Sequence, residues 1–293
     1  MRRPAPFAAL IFAFASGCSA ERSGVGGGSF GDAAGGDGAY DAAPVSDGGQ
    51  GDDVGGFDVA QQPPPAPPAE VFGQSGSTLY KLDPTTKQVT VVGDFSGCGG
   101  SVIDIALDKD GKMYGTTFGG VYRIDKTTAS CAHIASGSYP NSLSFVPIGT
   151  LDPNVEALVG FVGATYVRID TTTGTVTNVG SLGGGYSSSG DVVSVIGGGT
   201  YLTVTGNGCG DCIVEVDPKT GALKKMIGPV GHASVFGLAF WGGSAYGFDD
   251  AGELFQIDLT TGKSTTIPIP NAPSGLSFYG AGSTTSAPLT PPS

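Results

Sequence analysis

The sequence predicts an all-β chain: a five-bladed β-propeller of four-stranded antiparallel blades, its first blade closed by the C-terminal strand. Three observations predict it. A phrase of apolar, any, polar, aliphatic and Asp comes round five times, as LYKLD ending at Asp83, VYRID at Asp125, YVRID at Asp170, IVEVD at Asp217 and LFQID at Asp258. The steps between those aspartates are 42, 45, 47 and 41 residues, the length of a four-stranded blade rather than of a helical or leucine-rich repeat. No segment of useful length carries a helical period, whereas Gly, Thr and Ser are abundant, as tightly turning strands require.

Each element of the blade has its own justification. The alternation before each Asp is the period-two pattern of a strand whose two faces pack differently. The Asp then ends that strand: Asp-Pro-x-Thr, Asp-Lys-Thr-Thr and Asp-Leu-Thr-Thr-Gly place side-chain oxygens beside free backbone N–H groups and Pro or Gly where a tight hairpin needs them. A ring of five metal-ligating aspartates is disfavoured, because this turn joins the two outer strands, far from a common axis. Upstream lies a second motif, aliphatic, small, then larger apolar, at Ile105-Ala106-Leu107, Leu143-Ser144-Phe145, Val193-Ser194-Val195, Leu238-Ala239-Phe240 and Leu276-Ser277-Phe278. Its small middle residue suits the innermost strand, where blades crowd the axis. Between the two motifs runs a strand with aromatic-Gly at Phe72-Gly73, Tyr114-Gly115 and Tyr246-Gly247. The first blade lacks an inner-strand motif and the last such motif has no blade after it, so residues 274–280 are expected to pair with residues 71–73 and leave no open sheet edge.

Outside the predicted propeller at 70–280 the composition changes. Residues 1–17 read as an export signal, with Arg2 and Arg3 before an apolar run from Phe7 to Ala15 that is too short to span a bilayer. From residue 18 to 69 the chain turns to Gly, Asp, Ala and Pro. Between Glu21 and Glu70 it has 13 Gly and nine acids against one Arg, so this stretch is expected to be a disordered, self-repelling acidic tether that stiffens at Pro63 to Pro68. Regular Gly-Gly-x-Gly-x-Asp nonapeptides of a calcium-binding repeat are not present in it. Residues 281–293 are expected to form a disordered tail.

The charge balance excludes one class of partner. With Glu70 counted in the tether, residues 71–280 carry 17 acids against 11 Lys and Arg, which gives no basic stripe for nucleic acid.

The Ala15-Ser16-Gly17-Cys18 run resembles the lipobox of bacterial lipoproteins, departing from it at Ala15, where that family usually has Leu. The resemblance implies that Cys18 becomes an acylated N-terminus, anchoring the chain to a membrane by lipid, and Ser19 after it favours the outer membrane of the cell envelope. Four cysteines then remain, Cys98, Cys131, Cys209 and Cys212, an even number that suits an oxidising compartment. Cys209 and Cys212 are expected to bridge across a hairpin turn, and Cys98 and Cys131 to staple adjacent blades. A redox-active C-x-x-C would want a helix after Cys209, and zinc a second cysteine pair; neither is present.

Catalytic candidates are few. Asp104 enters the second inner strand close to the axis, and its counterparts by motif alignment are Ser142, Val192, Gly237 and Gly275. Asp191 is the one acid that could pair with it as the two carboxyls of a glycosidase. Of the two histidines, His133 lies on an outer strand, whereas His232 lies in a loop between an outer strand and the next inner strand, the kind of loop that rings a channel mouth. Asp108-Lys109-Asp110-Gly111 lacks the later oxygen ligands of an EF-hand and reads as a hairpin turn. Trp241 offers either an exposed aromatic for a ligand or packing between blades. No metal or cofactor is implied.

Over residues 70–280 the repeats, of the form Leu-Tyr-x-Ile-Asp-Pro-x-Thr-Gly, resemble extracytoplasmic bacterial propellers of the NHL-like and YVTN-like kind. That resemblance implies a ring used for recognition, and in some members for hydrolase or lyase chemistry, but transfers no active residue. The expected role is a non-catalytic binding or scaffolding module facing a protein or carbohydrate of the cell envelope. The alternative is an enzyme acting on a carbohydrate or lactone at the channel mouth through Asp104, Asp191 or His232.

Overall fold

The computed structural model describes residues 69–291, and the export signal, Cys18 and the tether up to residue 68 lie outside the described residues. Twenty strands form five four-stranded antiparallel sheets, and none of the described residues is helical. Blade I comprises β20 (Gly280–Ser283), β1 (Val71–Gln74), β2 (Thr78–Leu82) and β3 (Val89–Asp94), from the axis outward. Blade II comprises β4 (Asp104–Leu107), β5 (Met113–Thr117), β6 (Gly120–Ile124) and β7 (Cys131–Ser136), and blade III comprises β8 (Leu143–Val146), β9 (Ala157–Val162), β10 (Thr165–Ile169) and β11 (Val176–Ser181). Blade IV runs through β12 (Ser187–Ser194), β13 (Thr200–Gly206), β14 (Cys209–Val216) and β15 (Leu223–Pro229). Blade V runs through β16 (Val235–Trp241), β17 (Ser244–Asp249), β18 (Leu254–Ile257) and β19 (Ser264–Ile267).

The Asp phrase is the third strand of every blade, as its pattern requires. Its aromatic and aliphatic positions feed five separate apolar layers, one in each gap between neighbouring blades. Phe72 and Leu79 of blade I meet Ile105, Met113 and Tyr122 of blade II, and Phe248 and Leu254 of blade V meet Tyr80 and Leu82 of blade I. The remaining three gaps are filled in the same way. Trp241 packs into two of these layers and is half-buried, so it is a wedge between blades rather than an exposed platform.

Ring closure differs from expectation in its register. The strand that completes blade I is Gly280–Ser283, paired Gly73 to Ala281 and Phe72 to Gly282, and not the Leu276-Ser277-Phe278 motif. The reason is space. A Cβ on Gly280 would stand 2.3 Å from the Asp104 carboxylate and one on Gly282 2.9 Å from the Ile105 carbonyl. Only a Gly-Ala-Gly-Ser run fits between β16 and β4. Phe278 instead turns into the blade V–blade I layer, edge-on to Phe248 at 5.0 Å and Tyr80 at 5.9 Å.

The expected tail is likewise corrected. Thr284, Thr285 and Ala287 are buried, and the segment after β20 crosses one end of the ring. Thr284 N–H donates to the Glu70 carbonyl at 3.0 Å, Ile196 N–H to the Thr285 carbonyl at 2.8 Å and Gly242 N–H to the Pro288 carbonyl at 2.8 Å. Ser286 Oγ donates to the Lys109 carbonyl at 3.2 Å and Thr285 Oγ1 to Glu156 at 2.6 Å. These partners come from all five blades, so the segment is a plug. Its hydroxyl and backbone groups satisfy the turn carbonyls and amides around the ring, a pattern that carries no apolar period in the sequence.

Both expected disulfides are formed. Cys98, in the connection from blade I, joins Cys131 at the start of β7 with Cα atoms 5.2 Å apart. Cys209 and Cys212 are bridged as well, but both lie on β14, where Cys212 faces Val204 and Cys209 faces Gly206 across an irregular register. The hairpin turn sits before them, at Asn207 and Gly208, so this bridge spans a bulged strand and not a turn.

Candidate functional site

The two ends of the ring differ in what they expose. The first-to-second-strand connections, the Asp turns and the plug form one face; the second-to-third-strand turns and the loops between blades form the other. Asp104 opens β4 at its end nearest this second face, and Asp191 lies within β12.

The structure brings Asp104 and Asp191 together. Inner-strand pairing places Asp104, Ser142, Asp191, Gly237 and Gly280 at one level around the axis, since each precedes the residue opposite Gly115, Gly160, Leu202, Gly247 or Gly73. Motif alignment puts Val192 at this level; the ladder makes Val192 rather than Val193 the counterpart of Ile105, so the level falls one residue earlier, on Asp191. Both carboxyls are fully buried. Asp104 Oδ1 accepts from Ile105 N–H at 2.8 Å and Oδ2 from Leu143 N–H at 2.6 Å. Asp191 Oδ1 accepts from Val192 N–H at 2.6 Å and Oδ2 from Leu238 N–H at 2.7 Å. Four inner-strand N–H groups that point at the axis, where no further strand exists to receive them, are thereby satisfied. Burial raises both carboxyls, Asp104 well above the ordinary range with the charge of Asp191 adding to the rise, and Asp191 up to about 8. Two charges this close in a dry centre cannot coexist. Both carboxyls therefore keep their protons above the pH at which free carboxyls lose them, and the pair acts as a clasp for the inner strands. With no surface and every oxygen engaged, it offers nothing to a substrate.

His232 lies on the open face, in the connection between β15 and β16, and meets two acids that the sequence reading did not single out. Its Nδ1 is 3.3 Å from Glu253 Oε2 and 3.6 Å from Asp249 Oδ2. The imidazole stacks on Phe255 with centroids 3.8 Å apart and planes within 8°. Asp249 is the last residue of β17 and buried, its Oδ1 accepting from Glu253 N–H at 2.9 Å. Burial raises the Asp249 carboxyl. The acids escaped notice because an Asp-Asp-Ala-Gly-Glu turn looks like any polar hairpin; only the ring topology carries the preceding interblade loop over it. His133, by contrast, stays on β7, exposed and beside Ser136 Oγ at 3.1 Å.

On the plug face, a groove of about 570 Å³ lies between blades II and III, with Tyr114, Phe145 and Leu158 at its base and Lys109, Glu156 and Arg168 on its walls. Arg168 is held by Asp152 at 3.0 Å, and Glu156 is occupied by Lys109 N–H at 2.7 Å and Thr285. The Asp108 turn at its edge is a hairpin, Oδ1 accepting from Asp110 and Lys112 N–H groups at 2.9 and 2.8 Å.

No curated protein matches the chain. Among solved structures, it is similar to a chain in the crystal structure of a nidogen–laminin complex, with 13% identity, 76% of this chain and 100% of that one covered, and a TM-score of 0.48. It is similar to TolB from Acinetobacter baumannii at 16% identity, covering 70% of this chain and 51% of that one with a TM-score of 0.41. A protein of unknown function from Bacteroides caccae is similar at 15% identity, with 72% and 76% covered and a TM-score of 0.39. Residues 159–287, from the third blade through the strand that closes the ring, match the family described as a repeat of unknown function, DUF6923.

Proposed function

We propose that the chain is an extracytoplasmic lipoprotein, anchored through Cys18, whose propeller is a non-catalytic binding or scaffolding module. The single observation that supports it best is the clasp at the axis: the two acids best placed for glycosidase chemistry are buried and fully engaged by inner-strand N–H groups. The plug fills the other end of the ring, which leaves the loop-bearing face around His232 as the recognition surface. The two disulfides fit an oxidising compartment. The lipobox-like run before Cys18 and the NHL/YVTN-like repeats favour the cell envelope, with a protein or carbohydrate of that envelope as partner.

Feeding cells an alkyne-tagged fatty acid tests the anchor: the wild-type chain should take up label and Cys18→Ser should not, and an unlabelled wild type sinks it. Capture from envelope extracts tests recognition, since a partner should be retained by the wild type and lost when the open face is altered at Phe118, which is 78% exposed. A second reading, an enzyme acting on a carbohydrate or lactone at this face, is favoured by one observation, the imidazole flanked by two carboxylates. Turnover of aryl glycosides or lactones by the wild type and its loss in His232→Ala would establish that reading in place of the first.

A further inference from the structure

We infer that His232, Asp249 and Glu253 form a three-ligand site for a divalent cation of the zinc type on the open face of the ring. Separately from the binding-or-scaffold reading, four observations carry this. The donor set is one imidazole nitrogen and two carboxylate oxygens, the mixed hard and borderline set that first-row divalent ions take. The two spacings from the imidazole are close to what an ion needs: a tetrahedral ion with ligands at about 2.0–2.1 Å holds neighbouring donor atoms about 3.3–3.4 Å apart. Nδ1 stands 3.3 Å from Glu253 Oε2 and 3.6 Å from Asp249 Oδ2, and all three donor atoms lie within 4.8 Å of one another.

The third observation is Asp249 itself. Its side chain is only 5% exposed, yet only Oδ1 is engaged by a backbone N–H, while Oδ2 is aimed at the imidazole from beyond hydrogen-bonding distance. A largely buried carboxylate with one oxygen free of hydrogen bonds and turned to the imidazole is what a cation would complete. The fourth is preorganisation and access. Stacking on Phe255 fixes the plane of the His232 ring, and the Glu253 N–H bond to Asp249 ties the two acids to one turn. Glu253, 49% exposed, forms the open rim through which an ion enters. Three protein ligands leave one tetrahedral position for water or an oxygen donor of a bound partner.

Calorimetric titration with Zn²⁺ alone tests this, using the full-length chain carrying Cys18→Ser so that the one cysteine outside the disulfides cannot compete. One site per chain is expected, weakened at least tenfold by His232→Ala and by Glu253→Gln. The second variant alters an exposed side chain and so reports on the metal even if the first is poorly folded. Co²⁺ should give the intense visible absorption of a four-coordinate ion in the parent and lose it in both variants. Absent Zn²⁺ binding, binding unchanged in Glu253→Gln, or the pale spectrum of six-coordinate Co²⁺ would each overturn the assignment.

Discussion

At every Asp turn two backbone N–H groups share one carboxylate oxygen. In blade III they belong to Thr172 and Thr173, at 2.8 and 2.7 Å from Asp170 Oδ1, and the other four turns repeat the bonds within 2.7–3.2 Å. Asp170→Ala should therefore cost about 1 kcal/mol, the usual worth of such a cap, measured by urea unfolding. The fourth residue after each Asp is left-handed: Gly in three turns, but Lys87 at φ 63° and Ala129 at φ 58° in the others. Ala129→Gly relieves about 1 kcal/mol of backbone strain and gives up about 0.8 kcal/mol of buried methyl, so its unfolding midpoint should hardly move. The axial acids behave differently. Asp104→Ala strips acceptors from two buried N–H groups and should cost about 3 kcal/mol. Because the folded ring holds Asp191 protonated up to about 8, its contribution to stability is full below the unfolded carboxyl value near 4 and is lost as pH rises through about 8. Denaturant melts between pH 4 and 9 should show that decline, and a flat profile would contradict a raised Asp191 carboxyl.

The strands that were legible in the sequence are those whose side chains do the packing. LYKLD and its four relatives announce themselves because Leu79, Tyr80 and Leu82 each fill a gap between blades. β20 is illegible for the opposite reason: wedged against Asp104 and Ile105, it is selected for having almost no side chains, and Gly-Ala-Gly-Ser reads as a linker. The apolar Leu276-Ser277-Phe278 motif drew attention to the neighbouring residues instead. Among site residues, Asp104 and Asp191 are visible but out of step by one residue, because the small Ser194 suggests the motif's centre whereas the ladder sets Val193 there, opposite Tyr201, and Asp249 and Glu253 are invisible because their partner comes from another loop. Gly282→Val should prevent ring closure, since its Cβ meets the Ile105 carbonyl at 2.9 Å; loss of a cooperative thermal transition would show it. The two bridges should also differ. Chain entropy assigns about 3.7 kcal/mol to Cys98–Cys131, which are 33 residues apart, and about 1.6 kcal/mol to Cys209–Cys212, three apart. Paired Cys→Ser variants compared by urea melts should keep that order.

Across the whole molecule, five apolar layers make stability a property of the closed circle, as each blade's faces are buried only by its two neighbours. A chain ending at residue 279 lacks both the closing strand and the plug and should fail to unfold cooperatively, whereas one ending at residue 288 keeps the strand and most of the plug and should only melt earlier. Calorimetry of the two truncations distinguishes a latch from a tail. The position of that latch has a consequence for how the protein is made. Synthesis runs from the N-terminus, so β20 follows every other strand of the ring out of the ribosome. Until it arrives, blade I has only its three outer strands and the axis has nothing over it. Stalled nascent chains lacking residues 280–293 should be open to protease throughout, and a finished chain should acquire resistance in one step.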